Sequence, residues 1–143
     1  MTKTDLNSDN FDDLARDLPD GQPFYMVNLL RFRDIAAYAD GVTPAGKTGQ
    51  EAYFQGYLPG FAAVAKELDL EGIQPIFAGM VTGLVAGPPD ELWHATAIVA
   101  YPDFSAFRRV AESDAYRQIA DPHRRAALAD WRLIAATKLD LAG

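Results

Sequence analysis

The sequence predicts an α+β fold of the ferredoxin-like βαββαβ type, a four-stranded antiparallel sheet with two helices on one face. Its segments follow the order strand, helix, strand, strand, helix, strand, which is the order of that plan. The predicted strands are apolar runs without a helical period, whereas the predicted helices repeat apolar residues every three or four positions. A chain of 143 residues without an internal repeat or a linker is predicted to form one domain, residues 1–143.

The chain begins with a predicted helical extension, residues 1–21, and continues into the first strand. Ser8 to Asn10 offer side chains that cap helices, and turn residues end the extension. The strand spans Phe24–Phe32 and is apolar on both faces. Asn28 interrupts one face and Arg31 the other, so these two polar side chains point to opposite sides of the sheet.

A long loop and a long helix come next. Residues 34–49 are rich in Gly, Pro and Thr and are predicted to form a loop with one helical turn at 35–38. Residues 50–68 have a helical period, and Pro59 is expected to kink or split this helix near Leu58.

Two strands and a helix start are predicted after that. The second strand covers residues 72–86, with a bend or bulge at Gly79 and Gly83. The third strand is Trp93–Tyr101, and Asp103 caps the helix that follows.

The last helix and strand complete the plan. Asp121 suits the N-cap of that helix and Pro122 its first position, which places His123 near a positive helix end and favours a neutral imidazole. The last strand is predicted at Trp131–Leu139.

Composition excludes several classes of function. The chain has 13 basic and 20 acidic residues, a net charge of −7, which argues against a nucleic-acid partner. It has no cysteine, which excludes thiol catalysis and iron–sulfur ligation. Residues 1–13 are polar, unlike a signal peptide, and no apolar run approaches the roughly 20 residues that span a bilayer. We therefore expect a cytoplasmic protein without a membrane partner.

The apolar strands also predict an assembly. Two helices can cover only one face of the sheet, yet the predicted strands carry apolar residues on both faces. An exposed apolar sheet face is an aggregation liability or an interface. We expect a homodimer through the sheet face that points away from the helices.

Several short segments carry a resemblance to a known family: Val27–Phe32 (VNLLRF), Tyr101-Pro102, Phe107, Tyr116, His123-Arg124 and Ala126–Leu128. In combination they resemble the DUF1330 family of uncharacterised bacterial proteins. The resemblance covers most of the chain and implies membership of the dimeric α/β-barrel superfamily, in which two ferredoxin-like protomers face each other through their sheets. That superfamily includes cofactor-independent monooxygenases, muconolactone isomerases and haem-handling enzymes. DUF1330 itself implies no particular reaction.

Residues Gly41–Thr48 match the phosphate-loop pattern G-x-x-x-x-G-K-[ST]. The phosphate-binding mechanism needs a strand that runs directly into the loop, and the first predicted strand ends at Phe32. Pro44 also removes one of the amides that would contact a phosphate. We interpret the match as a chance one, and nucleotide binding is the remote alternative.

His123 and Asn28 are the candidate catalytic residues. A neutral His123 could act as a base or hydrogen-bond partner, and Asn28 is an amide among apolar neighbours that needs a definite partner. Arg124 could bind a carboxylate through its fork of donors. We expect His123 and Arg124 to share one polar cluster with Asn28 or Tyr101. The alternative is that both residues only attach the helix to the sheet or to a partner subunit.

Further candidate ligand-binding residues lie on or near the strands: Arg31, Tyr53, Trp93, His94, Tyr101 and, from the last helix, Arg124. Two histidines without a spaced carboxylate motif predict no metal site, and no cofactor is predicted.

The pattern as a whole favours a small protein that holds a small anionic or aromatic ligand between the sheet and the helices. By analogy with the superfamily it would be a cofactor-free oxygenase or isomerase. The alternative is a non-catalytic binding or accessory homodimer. The sequence leaves open whether the protein is an enzyme.

Overall fold

The computed structural model describes residues 3–142, so Met1, Thr2 and Gly143 of the predicted domain lie outside the described residues. Four antiparallel strands form one sheet in the order β2-β3-β1-β4, with the core helices packed against one face. This arrangement confirms the predicted α+β, ferredoxin-like fold. The strands are β1 Phe24–Phe32, β2 Gln74–Met80, β3 Ala95–Tyr101 and β4 Leu128–Ala136.

Helical segments occupy the connections. A 3₁₀ turn at Ser8–Asn10 leads into the first helix, and two π-helical segments, Ala52–Tyr57 and Tyr116–Ala120, each run directly into a helix. The helices are α1 Phe11–Asp17, α2 Gly49–Glu51, α3 Leu58–Glu67, α4 Phe104–Ala111 and α5 Asp121–Ala127.

Strand β1 has the predicted bounds and the predicted two faces. Its alternate residues from Phe24 to Phe32 are buried towards the helices, and this set includes Asn28. Arg31 is exposed on the opposite face, as predicted. The pattern follows from the period of two in a strand, because one register places every second side chain in the core.

The predicted bounds of the other strands need correction. Strand β2 ends at Met80, and its register shift lies between Pro75 and Phe77 instead of at the two glycines, because proline has no amide hydrogen for the ladder. Strand β4 begins three residues early, directly after α5. It also ends three residues early, because Ala136 pairs with Tyr25, next to the first residue of β1.

Strand β3 begins at Ala95, two residues later than predicted. Trp93 and His94 precede it, although the backbone of His94 still bonds both neighbours, Leu30 and Val81.

Two local helix predictions are wrong, and one is confirmed. Residues 35–38 form no helical turn, and no side chain caps the start of α1. At the position where the sequence predicts a kink or split, the helix changes type, because a π-helical segment ends at Tyr57 and α3 begins at Leu58, directly before Pro59. Asp103 caps α4 as predicted, since its carboxylate accepts from the amide of Ala106 at 2.9 Å.

The core lies between the helices and the inner face of the sheet. Edge strand β2 is the exception, because almost every residue in it is exposed. The helices therefore cover three strands and leave open space beneath the fourth. Within residues 3–142, no helix has the length and apolar character required to cross a membrane.

Candidate functional site

A cavity of about 910 Å³ lies between the inner sheet face and the helical layer. Its floor includes Asn28 of β1 and Ala97 of β3, which are register neighbours in the sheet. Its charged lining residues, Lys66, Asp69 and Glu71, are all exposed and mark the end near β2. A cavity of this size accommodates a small organic molecule.

Eight aromatic side chains form part of the cavity wall. The ring centroids of Tyr53 and Tyr57 are 5.1 Å apart, and those of Tyr57 and Tyr116 are 6.2 Å apart in an edge-to-face arrangement. Such ring pairs fix one another's orientation and give the wall a defined shape. The aromatic lining residues are Tyr53, Phe54, Tyr57, Phe61, Tyr101, Phe107, Tyr116 and Trp131.

Asn28 is the buried amide of this cavity, with 7% of its surface exposed. Its Oδ1 accepts a hydrogen bond of 3.1 Å from Nε1 of Trp131. Because an indole nitrogen can only donate, Trp131 determines which end of the amide carries the oxygen. The Nδ2 group lies 3.5 Å from the carbonyl of Met26, at the long limit of hydrogen bonding, so it can donate to a ligand.

Four tyrosines around the cavity are neutral hydrogen-bonding groups. Burial raises the pKa of Tyr53, Tyr57, Tyr101 and Tyr116, because the charged phenolate is poorly solvated there. The hydroxyls of Tyr57 and Tyr116 bond each other at 3.0 Å. These tyrosines can therefore donate or accept hydrogen bonds but do not serve as bases near neutral pH.

Arg124 lies behind this wall and does not line the cavity. It is 1% exposed, and its guanidinium lies 4.9 Å from the ring centroid of Trp131. One terminal nitrogen donates to Asp121 at 2.5 Å, and the other donates to the carbonyl of Thr4. Its Nε has no hydrogen-bond partner within the described residues. Arg124 thus supports Trp131 and anchors the N-terminal segment.

His123 lies in a different place from Arg124, which corrects the expectation of one shared cluster with Asn28 or Tyr101. Its Nδ1 is 2.7 Å from the hydroxyl of Tyr38 in the long loop. Adjacent residues of a helix point about 100° apart, so Arg124 can enter the core while His123 faces the loop.

The environment of His123 favours its neutral form. The Tyr38 hydroxyl accepts a hydrogen bond from the amide of Ala45 at 3.1 Å, and it can then donate to the unprotonated Nδ1. Burial lowers the pKa of His123. The ring also lies against Gly56, where an added Cβ would come within 2.6 Å of Nδ1.

Asp121 does not cap a helix, which was the predicted reason for a neutral His123. The π-helical segment Tyr116–Ala120 continues into α5, so no free helix start exists at this point. The Asp121 carboxylate instead accepts from Arg124 and, at 2.7 Å, from Arg125.

The remaining candidates also lie away from the cavity. Nδ1 of His94 accepts from the amide of Phe32 at 2.9 Å, and the two rings stack. Trp93 is buried beneath the guanidinium of Arg132, 5.3 Å from its ring centroid. Arg31 is exposed on the outer sheet face. Of the predicted site residues, the cavity brings together Asn28, Tyr53 and Tyr101.

No cluster of three or more His, Cys, Asp or Glu side chains among residues 3–142 could hold a metal ion.

The stretch that resembles a phosphate loop has its own anion. Oε1 of Glu51 accepts from the amides of Lys47 and Thr48, each at 3.0 Å. The Thr48 hydroxyl in turn accepts from the amide of Glu51, which completes a capping box. The carboxylate therefore occupies amides that a phosphate would need. The Thr-x-x-Glu spacing of this box was readable from the sequence.

Sequence reasoning missed most residues of the cavity, among them Tyr57, Tyr116 and Trp131. Tyr57 follows Tyr53 by four positions, the spacing of neighbours on one helix face. Trp131 belongs to the same strand face as Leu133, which also lines the cavity. These spacings could have placed Tyr57 beside Tyr53 and Trp131 on the inner face.

The fold and the cavity define a class, ferredoxin-like α+β proteins with a chamber between sheet and helices. No family model and no curated protein matches the chain. Among solved structures, it is similar to the RPA0582 protein of Rhodopseudomonas palustris, described as a protein of unknown function. The identity is 31% and the TM-score 0.80, over 98% of this chain and 99% of that chain. A structure of methylated RPA0582 has a sequence identity of 32% and a TM-score of 0.81, over 98% of this chain and 97% of that chain. The chain belongs to the same family as RPA0582.

Proposed function

We propose that this protein binds a small, largely apolar molecule in the cavity between its sheet and its helices. The observation that carries the proposal is Asn28, a buried amide of the cavity lining whose Oδ1 is held by Trp131 and whose Nδ2 has only a long hydrogen bond to the carbonyl of Met26. Binding pockets combine apolar walls with a few fixed polar groups in this manner.

The chemistry of the lining favours binding over acid–base catalysis. The charged lining residues are confined to the exposed end, and the inner polar groups are an amide and neutral hydroxyls. A general base must lie within hydrogen-bond reach of its substrate, and His123 bonds the loop instead. A cofactor-free oxygenase or isomerase, as the analogy with the dimeric α/β-barrel superfamily suggests, would therefore depend mainly on the reactivity of its substrate.

We also propose that the protein acts as a homodimer through the outer sheet face. Four apolar residues form one continuous row across all four strands: Phe77, Ile98, Val27 and Ile134. Phe77 is 54% and Ile134 49% exposed in the single chain. Such a row is self-complementary under a two-fold axis, as the dimeric α/β-barrel superfamily implies. The predicted cytoplasmic location stays a prediction.

A neutral fluorescent probe, N-phenyl-1-naphthylamine, tests the cavity. We expect saturable fluorescence enhancement with the wild-type protein. Ala97→Phe would place a ring into the floor of the cavity and should abolish the signal. Ala63→Phe makes the same change on the exposed face of α3 and serves as the matched control. Equal binding by Ala97→Phe, folded by circular dichroism, would place the probe elsewhere and refute the proposal.

A further inference from the structure

The interior of the cavity offers hydrogen bonds without a free positive charge. Lys66 is exposed at the open end. Arg124 does not line the cavity, although its charge lowers the pKa of the lining residues Tyr53, Tyr57 and Tyr116 against the larger effect of burial. Its terminal nitrogens are held by Asp121 and the carbonyl of Thr4, so its charge is already paired. A buried anion needs a paired cation, and the described inner lining supplies none.

The pKa values of the cavity tyrosines also indicate that the cavity solvates a negative charge poorly. Burial raises the pKa of Tyr57 well above its ordinary value of 10.0, and it raises the pKa of Tyr53 in the same direction. The poor solvation that opposes a phenolate on the wall also opposes a carboxylate on a ligand.

The shape of the cavity favours a flat ligand. Aromatic residues approach it from the helical side, with Tyr53 and Tyr57, and from the sheet side, with Tyr101 and Trp131. Rings on opposite walls provide stacking and edge contacts for another ring. Ala95 and Ala97 leave room between the two walls, because their side chains are small.

We propose that the ligand is a neutral aromatic compound with a carbonyl oxygen that accepts a hydrogen bond from Nδ2 of Asn28. The inference rests on the proposed binding function and specifies its chemistry. Trp131 holds Oδ1 of the same amide, so the site presents a donor and selects an acceptor. This narrows the anionic or aromatic ligand expected from the sequence to a neutral aromatic one.

Three probes of nearly equal shape test the inference by calorimetry at pH 7.5: 2-acetylnaphthalene, 2-ethylnaphthalene and 2-naphthoate. The ketone should bind about tenfold more tightly than the hydrocarbon, since only the ketone accepts from Asn28. It should bind about a hundredfold more tightly than the carboxylate, which must be desolvated without a cation. This comparison uses the wild-type protein and does not depend on the folding of a variant.

Substitution of Asn28 tests whether this residue causes the preference for the ketone over the hydrocarbon. Asn28→Leu should abolish the preference, so that ketone and hydrocarbon bind with about equal affinity. Gln55 is an exposed amide on the neighbouring helical segment, and the control Gln55→Leu should keep a preference of about tenfold. Equal affinity of the wild type for ketone and hydrocarbon would overturn the inference and leave the binding function intact. A carboxylate that binds as tightly as the ketone would do the same. Absence of binding by all three probes would refute the binding function as well.

Discussion

Nε1 of Trp131 donates a 3.1 Å hydrogen bond to Oδ1 of Asn28 and thereby joins the two strands that support the cavity. Both residues are buried, so water does not replace either partner when the bond is removed. The guanidinium of Arg124 lies over the same indole ring, 4.9 Å from its centroid, and does not line the cavity.

Trp131→Phe should lower the free energy of unfolding by about 1–3 kcal/mol, because the Asn28 oxygen loses its partner. Asn28→Leu should have a cost of similar size, since it leaves the indole NH unpaired. The double variant should cost less than the sum, by about 1 kcal/mol, because each change already removes the shared bond. Urea unfolding of the four proteins measures this. Strictly additive costs would show that the bond contributes nothing.

Arg124 and Arg125 share the Asp121 carboxylate and differ in burial. The side chain of Arg124 is 1% exposed and that of Arg125 57%. Arg124→Met should cost about 3 kcal/mol, because a buried cation with packing on Trp131 is lost while Asp121 keeps only Arg125. Arg125→Met is the matched control and should cost less than about 1 kcal/mol, as exposed ion pairs do. Equal costs in urea unfolding would contradict this assignment of burial.

The sequence was informative wherever a local pattern determines the structure. The apolar run of β1 predicted its bounds, and the period of two predicted that Asn28 and Arg31 lie on opposite faces of the sheet. Asp103 capped its helix as predicted. A local pattern does not show whether the segment before a helix is itself helical. The cap predicted at Asp121 is therefore wrong, because the π-helical segment continues into α5.

The sequence also could not predict how a helix is rotated about its own axis. The sequence placed His123 and Arg124 in one helical turn, but only tertiary packing determines which of them enters the core. Arg124 does so because Trp131 and Asp121 compensate its charge. His94 illustrates the same limit, because its ring bonds the amide of Phe32, 62 positions away. A partner that distant leaves no signal in the local pattern.

His123 should make stability depend on pH. Its folded-state pKa lies below the ordinary value of 6.5, so the unfolded chain binds the proton more readily. The contribution is therefore present above about pH 6.5 and is lost as the pH falls below it. Between pH 7.5 and 5.5, the melting temperature of His123→Phe should fall by less than the melting temperature of the wild type. Parallel slopes in a thermal unfolding series would show that this histidine titrates alike in both states.

The segment Gly41–Thr48 should bind no nucleotide, because Glu51 occupies the amides of Lys47 and Thr48. Thr48→Ala should cost about 1 kcal/mol of stability through loss of the cap. Lys47→Ala should change stability by less than about 0.5 kcal/mol, as surface substitutions usually do. Calorimetric titration with Mg-ATP tests whether the segment binds a nucleotide. A micromolar affinity that disappears in Lys47→Ala would restore the phosphate-loop interpretation.

The outer sheet face should hold two copies of the chain together. Ile134 lies at the β4 end of the apolar row and pairs with Val27 across the strands. Ile134→Glu would place a charge in each half of a two-fold interface, where burial without a cation is unfavourable. Light scattering at micromolar concentration should give a dimer for the wild type and a monomer for this variant. Ile35→Glu, in a loop where the side chain is 77% exposed, is the control and should stay dimeric. A wild-type protein with the mass of one chain would refute the assembly, and an Ile134→Glu variant that stays dimeric would show that the interface does not include this row of the sheet.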